Sequence, residues 1–223
     1  MHDPGADQWS FDSYPPPAQP TPVVRLGLNL GAPGNRMAED GTFFIEVPSV
    51  GGPSPDVPVR WSGDGPRWFR RHSALFQGSM SWVGASGLQG AGTLTIRPFL
   101  QPADKPAEAV EAYLRNALTT TLDWPASTQG AFPAPQPYTV RLYFAEPDDR
   151  PPGERVFSVA LQGQEVLSGF DIVAAAETPR SVVVKDFTDV PITDDFVITL
   201  TPAPGTQAPP LLCGLELLAG PHY

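Results

Sequence analysis

Two adjacent carboxylate pairs and one single aspartate are the residues of this sequence whose types could support hydrolytic chemistry. The pairs are Asp148-Asp149 and Asp194-Asp195, and the single residue is Asp171. Glycoside hydrolysis uses two carboxyl groups on opposite sides of the bond that breaks. Neighbouring side chains on a turn point in different directions, so solvated turns explain the two pairs better. We therefore expect a protein that is not an enzyme and has no catalytic residues.

Three tryptophans are the candidates for binding a ligand. A sugar site pairs an aromatic platform with a few convergent polar groups. Trp68, Trp82 and Trp124 stand near glycine or proline, in stretches that the sequence predicts to be loops. Packing in the core or at an edge is the alternative for each of them.

Cysteine and histidine are too few and too scattered for a metal site or a catalytic thiol. The chain has one cysteine and three histidines, and Cys213 stands among leucines, which predicts a buried structural thiol. Two of the histidines, His2 and His222, lie near the ends of the chain, and no pair has the spacing of zinc ligands. We expect no metal and no cofactor.

The charge balance excludes nucleic acid as a partner. The chain carries 14 basic and 24 acidic residues, a net charge of −10, and its basic residues are dispersed. Phosphate binding needs a clustered basic face. The one dense basic and aromatic stretch, Trp68–His72, is typical of a strand edge or turn. No apolar run reaches the roughly 20 residues of a membrane-spanning helix, and the first seventeen residues lack the pattern of a signal peptide.

The elements that position these residues are predicted to be strands. With 29 prolines and 21 glycines, a helical bundle is excluded, because both residues destabilise helix interiors. We interpret residues 1–22, rich in proline, as a linker or tail, and residues 23–223 as one domain. Alternating apolar residues predict strands over 24–30, 42–47, 94–99, 138–146, 155–161, 165–167, 181–187, 196–201 and 211–218.

One segment interrupts this pattern with a helical spacing. Asp104 is a suitable N-cap, and it is followed by an apolar i, i+3, i+4, i+7 pattern at Val110, Tyr113, Leu114 and Ala117. We predict one short inserted helix at about 105–117. The fold class is therefore all-β, a jelly-roll-like antiparallel β-sandwich with long loops and this one helix.

Four motifs in the second half of the chain occur in an order that resembles a known family. They are Tyr138–Glu146, Gly153–Val159, Val166–Ile172 and Pro210–Glu216. The series is similar to the malectin and malectin-like domain family, including its bacterial carbohydrate-binding-module relatives, over residues 138–218. Segment 24–58 resembles the opening strand of that family and its following loop less closely.

The resemblance implies a non-catalytic β-sandwich that binds carbohydrate. Malectin recognises glucose-containing oligosaccharides, and its bacterial relatives are accessory domains of larger secreted or cell-surface proteins. At the place of malectin's aromatic pair, this sequence has Asp148-Asp149, and at the place of an acidic residue it has Ala208. Candidate carbohydrate-binding residues are therefore Trp68, Trp82, Trp124, Asp148, Asp149 and Asp171.

Two functions stay open at this stage. The first is an accessory module that binds an oligosaccharide, as part of a secreted, periplasmic or surface protein. The second is a structural or interaction domain that has lost sugar binding and packs against neighbouring domains or subunits. Glu146 and Asp171 also have structural alternatives, because each can accept hydrogen bonds from the backbone of its own turn.

Phe144 is a predicted core residue that can be tested directly. We expect Phe144→Ala to lower the free energy of unfolding by about 3–5 kcal/mol, the usual cost of removing a buried aromatic ring. Thermal or urea denaturation measures the change. A variant as stable as its parent would contradict the placement of Phe144 in the core.

Overall fold

The computed structural model describes residues 21–48, 57–100 and 135–220. Within them the regular secondary structure consists mainly of strands, with two short helices and one 3-10 turn at Ser73–Leu75. The helices are α1 (Ser81–Gly84) and α2 (Ile172–Ala175). The strands are β1 (Thr21–Pro22), β2 (Arg25–Leu30), β3 (Arg36–Met37), β4 (Phe43–Val47), β5 (Val59–Gly63), β6 (Arg67–Arg70), β7 (Ser86–Gln89), β8 (Gly92–Ile96), β9 (Phe99–Leu100), β10 (Gln136–Phe144), β11 (Val156–Leu161), β12 (Gln164–Asp171), β13 (Val183–Ile192), β14 (Phe196–Pro202), β15 (Leu211–Leu212) and β16 (Gly214–Ala219).

The strands form two large sheets and two small ones. Their orders are β13-β10-β16-β2-β4-β3, β12-β11-β14-β8-β5, β15-β7-β6 and β1-β9. The pairs are antiparallel with one exception among the named strands, since β2 runs parallel to β4 from Gly27↔Phe44 to Leu30↔Val47. The predicted antiparallel β-sandwich is confirmed, and it contains this one parallel pair of named strands. The intervening strand β3 pairs antiparallel with β4 on its other side.

Three phenylalanine rings join the two large sheets across the core. Phe144 belongs to the six-stranded sheet, and Phe157 and Phe170 belong to the five-stranded sheet. Their ring centroids lie 4.8 to 6.0 Å apart, and all three side chains are buried. The period of two along β10 and β11 directs these rings to one face of each strand, as two packed sheets require.

Most strand predictions within the described residues are confirmed. The inward set is confirmed for Phe144, Phe157, Val159 and Phe170, whereas Val156 is half-buried. The predicted turn after β11 is also confirmed: Gln162 and Gly163 have φ of 50° and 80°, the left-handed backbone of a two-residue hairpin. The predicted helix at 105–117 and residues 1–20 of the predicted linker lie outside the described residues.

Helix α1 packs on the face of the six-stranded sheet opposite the phenylalanine core. A Cβ atom on Gly214 of β16 would lie 2.7 Å from Val83 Cγ1 of this helix. Cys213, just before β16, is fully buried, and its Sγ lies 3.9 Å from Gly84 O and 3.8 Å from Ala145 O. Burial raises the pKa of this thiol to about 12, so it is protonated at neutral pH. The predicted buried structural thiol is confirmed.

Two aromatic rings lie directly on a glycine of the neighbouring strand. Phe44 covers Gly27, where a Cβ atom would lie 2.5 Å from the ring, and Phe69 covers Gly87, where the distance would be 2.4 Å. Each ring and its glycine are register partners. A ring on a strand glycine shields backbone that a side chain would otherwise cover.

Gly27 should therefore not tolerate a methyl group. We expect Gly27→Ala to lower the free energy of unfolding by about 1–3 kcal/mol, the cost of forcing an extra carbon into a filled site. Gly34→Ala is the matched control, because no atom lies within 4 Å of its added Cβ. Urea denaturation of both variants tests this, and equal stability of the two would refute the close contact.

Candidate functional site

A buried ion pair forms the base of the candidate site, where β10 ends and β11 begins. The Arg155 side chain donates from Nε to Glu146 Oε2 at 2.7 Å and from Nη2 to Glu146 Oε1 at 3.2 Å. Arg155 is 2% exposed and Glu146 is 5% exposed. This two-bond geometry matches a planar guanidinium to a carboxylate and offsets the cost of burying both charges.

The ion pair also holds the loop between β14 and β15. Arg155 Nη1 donates to the carbonyl oxygen of Pro209. The backbone amides of Gln207 and Ala208 both donate to Glu154 O at 3.0 Å. Ala208, at the place of malectin's acidic residue, is buried. Three separate segments of chain therefore meet at Arg155.

Further arginines surround the two aspartates that follow Glu146. Asp148 lies 3.2 Å from Arg71 and 3.7 Å from both Arg150 and Arg155, measured between side-chain nitrogen and oxygen atoms. The Asp148 amide donates to Glu146 Oε1 at 3.2 Å, which confirms the predicted turn role of Glu146.

Asp149 has a different environment from Asp148. Arg180 Nη2 lies 2.8 Å from Asp149 Oδ1, and the Asp149 side chain is 87% exposed. Arg180 has φ of 60°, a left-handed conformation that a residue with a side chain seldom adopts. Asp148 is thus surrounded by three guanidinium groups, whereas Asp149 contacts one and is largely exposed to solvent.

These charges line a cleft of about 470 Å³, here named the Asp148 cleft. One wall is the turn after β10, and the other is α2 with the loop that follows it. Thr178 Oγ1 lies 2.6 Å from Ser181 Oγ and 3.1 Å from Gln77 Oε1, which ties that loop to the segment after β6. The lining residues are 146, 148–151, 172, 173 and 176–181, and none of them is aromatic.

Asp171 has a structural role at one end of this wall. Its Oδ1 accepts hydrogen bonds from the amides of Val173 and Ala174 at 2.9 and 3.2 Å, and its Oδ2 accepts one from Gly153 at 2.5 Å. Asp171 is therefore the N-cap of α2. Its predicted bond to backbone two residues ahead is confirmed, and Asp171 is not among the residues that line the cleft.

Two of the candidate tryptophans, Trp68 and Trp82, are not among the residues that line the Asp148 cleft. Trp68 lies in the edge strand β6 and is 37% exposed. Trp82 lies in α1, where its ring meets Phe44 edge-on at 5.0 Å and carries the Arg36 guanidinium at 4.7 Å. The strand edge predicted for Trp68–His72 is confirmed at Trp68. The loop context predicted for Trp82 is wrong, since a helix of four residues lacks a clear periodic pattern. Trp124 lies outside the described residues.

A second cleft, of about 330 Å³, has Gln207 and Ala208 among its lining residues. Its lining includes the polar side chains of Asp64, Arg67, Gln89 and Gln207. Prolines and Ala208 supply apolar lining. Arg67 and Trp68 are consecutive residues of β6. This cleft contains polar groups that could bind hydroxyls, but its lining also includes no aromatic ring.

Sequence reasoning missed the arginines that organise the Asp148 cleft. Five of the eight residues from Asp148 to Arg155 are charged, and this density was the available signal. Arg71 and Arg180 had no local signal, because their carboxylate partners are 77 and 31 residues away along the chain.

Arg155 should contribute far more stability than an exposed arginine of the same network. We expect Arg155→Met to lower the free energy of unfolding by about 3–5 kcal/mol, because it leaves the Glu146 carboxylate buried and uncompensated. Arg71→Met, which removes a half-exposed pair with Asp148, should cost about 1 kcal/mol or less. Similar melting temperatures for the two variants would contradict the central role of Arg155.

Comparison with protein families identifies one match. The family model described as the malectin domain matches residues 118–208, and this confirms the resemblance found from the motifs. Comparison with curated proteins finds no match.

Several solved structures share the fold. The ANXUR1 extracellular domain of Arabidopsis thaliana has a TM-score of 0.59 at 11% identity, over 90% of this chain and 53% of that chain. A chain from the complex of plant peptide RALF23 with FER and LLG2 has a TM-score of 0.55 at 15% identity, over 89% and 52%. Bacteroides uniformis beta-glucuronidase gives 0.54 at 11% identity, over 88% and 18%.

The present chain spans about half or less of the length of these structures. Their low identity shows a common fold alone. No helix in the described residues is long and apolar enough to cross a membrane. Residues 118–208 thus match the malectin domain model, and the sheets described above have the β-sandwich fold of these malectin-like structures.

Proposed function

We propose that this chain is a non-catalytic binding module of a larger extracellular or cell-surface protein, and that the Asp148 cleft binds a segment of polypeptide. The observation that carries the proposal is the composition of the cleft, which combines guanidinium and carboxylate groups and has no aromatic ring among its lining residues. A sugar site ordinarily offers a flat aromatic surface to the C–H face of the ring, whereas a protein interface has a polar, hydrogen-bonding rim around its apolar core.

The malectin-like fold of plant ectodomains is consistent with this proposal. One of the similar structures is a complex of the plant peptide RALF23 with FER and LLG2. That complex is formed by other proteins, and it supports the proposal of a polypeptide ligand for this chain by analogy of fold only.

Carbohydrate binding is the second candidate function, and the exposure of Trp68 favours it. The Trp68 side chain is the one candidate ring among the described residues that is substantially exposed. It follows Arg67, which lines the second cleft with Gln89 and Asp64. A platform on β6 would place a sugar away from the position held by Asp148 and Asp149.

One experiment separates the two candidates. The full chain is applied to a peptide array and to a glycan array, and hits are titrated. We expect peptide binding that Ala176→Trp weakens at least about tenfold, or about 1.4 kcal/mol, because Ala176 lines the cleft and a large ring would fill it.

Ala175→Trp is the matched control, since Ala175 is exposed on the same helix and is not a lining residue. Equal loss of affinity in both variants would contradict binding in the cleft. Glycan binding that Trp68→Ala abolishes, with no peptide bound, would replace the proposal with the second candidate.

A further inference from the structure

The charges around the Asp148 cleft are not equally available to a ligand. Asp148 contacts Arg71, Arg150 and Arg155 within 3.7 Å, so three guanidinium groups already surround its carboxylate. Asp149 contacts one guanidinium and is 87% exposed. Glu177 lines the cleft, is exposed, and forms no hydrogen bond or ion pair in the part of the chain that the structure describes.

The residues that line the cleft include four carboxylates and two guanidinium groups. The guanidinium groups of Arg150 and Arg180 are paired within the protein, with Glu154 at 3.0 Å and Asp149 at 2.8 Å. Glu177 and the exposed side of Asp149 are therefore the charges that a ligand would meet. The chain as a whole has a net charge of −10, which attracts cationic partners at long range. This charge complementarity selects a basic ligand from the polypeptides that the cleft could bind.

The edge of the cleft adds an apolar contact. The segment from Arg71 to Gln77 lies along it, since Arg71 pairs with Asp148 and the Gln77 amide donates to Arg180 O at 3.0 Å. Leu75, within this segment, is 47% exposed. Basic side chains have long aliphatic stems, which can cover an exposed apolar residue while the charged group reaches a carboxylate.

Arg180 occupies the place that a ligand's cation would take. Its guanidinium lies 2.8 Å from Asp149, and its backbone adopts the left-handed conformation at φ 60°. The pair is exposed on the Asp149 side, so solvent weakens it. The geometry points to an internal cation that competes with a ligand for one carboxylate.

We propose that the Asp148 cleft recognises a basic segment of a partner polypeptide, whose lysine or arginine replaces Arg180 at Asp149 and also meets Glu177. This inference rests on the proposed polypeptide-binding function and specifies the chemistry of the partner. It assigns Asp149 and Glu177 as ligand contacts and Arg180 as the competing internal cation.

Two labelled peptide pools test the proposal on the full chain. One pool contains lysine and leucine among neutral residues, and the other has aspartate in place of lysine. Fluorescence anisotropy at low and physiological ionic strength should show binding of the lysine pool alone, weaker at higher salt.

Four variants then identify the contacts. Asp149→Asn and Glu177→Gln should each weaken binding of the lysine pool about three- to tenfold, the range for partly exposed charge pairs. Arg180→Asn should tighten it about threefold or more, because the competing cation is gone and asparagine tolerates the left-handed backbone. Asp194→Asn, which removes an exposed carboxylate elsewhere, should leave binding unchanged.

The double variant Asp149→Asn/Arg180→Asn makes the test specific. The gain from Arg180→Asn should disappear when Asp149 no longer carries a charge. Thermal melting confirms that each variant is folded before it is titrated.

Contrary outcomes separate this inference from the proposed function. Binding of the aspartate pool, weaker binding by Arg180→Asn, or an equal effect of Asp194→Asn and Asp149→Asn would overturn the inference, while polypeptide binding would stand. If neither pool binds, and the peptide array is also silent, both proposals are overturned.

Discussion

The buried pair of Arg155 and Glu146 is the interaction on which the candidate site depends. It joins the end of β10 to the start of β11, and through Pro209 it fixes the loop before β15. A buried guanidinium with one carboxylate and one carbonyl as acceptors has few alternative arrangements, because any other leaves a charge without a partner. The positions of Asp148 and Asp149 follow from this constraint, since both aspartates come directly after Glu146 and its proline.

The strands of the second half of the chain could be predicted because their side chains alternate. In β11, Phe157, Val159 and Leu161 are buried, and the residues between them are partly exposed. The parallel pair β2 and β4 could not be predicted, because alternation shows which face of a strand is buried but not which strand lies beside it. Trp82 is predicted in a loop but lies in α1, since a four-residue element is too short to show a period.

The roles of residues in the candidate site could be predicted from the sequence only where a side chain accepts a hydrogen bond from the backbone of its own turn. Asp171 and Glu146 accept hydrogen bonds from amides two residues ahead, and that geometry is local. Two of the guanidinium groups that pair with aspartates of the cleft are distant in sequence: Arg71, directly after β6, pairs with Asp148, and Arg180, in the loop after α2, pairs with Asp149. Charge density between Asp148 and Arg155 indicates a network, but the identity of each partner depends on how the segments meet in the fold.

The rings that lie on Gly27 and Gly87 have a consequence for how this sequence can change over time. Each glycine and its ring occupy one shared volume, so enlarging the glycine alone causes a clash, and shrinking the ring alone exposes bare backbone beside a void. Neither position can drift by single steps without loss of fitness. Relatives should therefore either keep Gly27 and Phe44 or exchange them together. Gly87 should be kept in either case, because a Cβ atom there would also lie 2.8 Å from the Leu212 carbonyl oxygen.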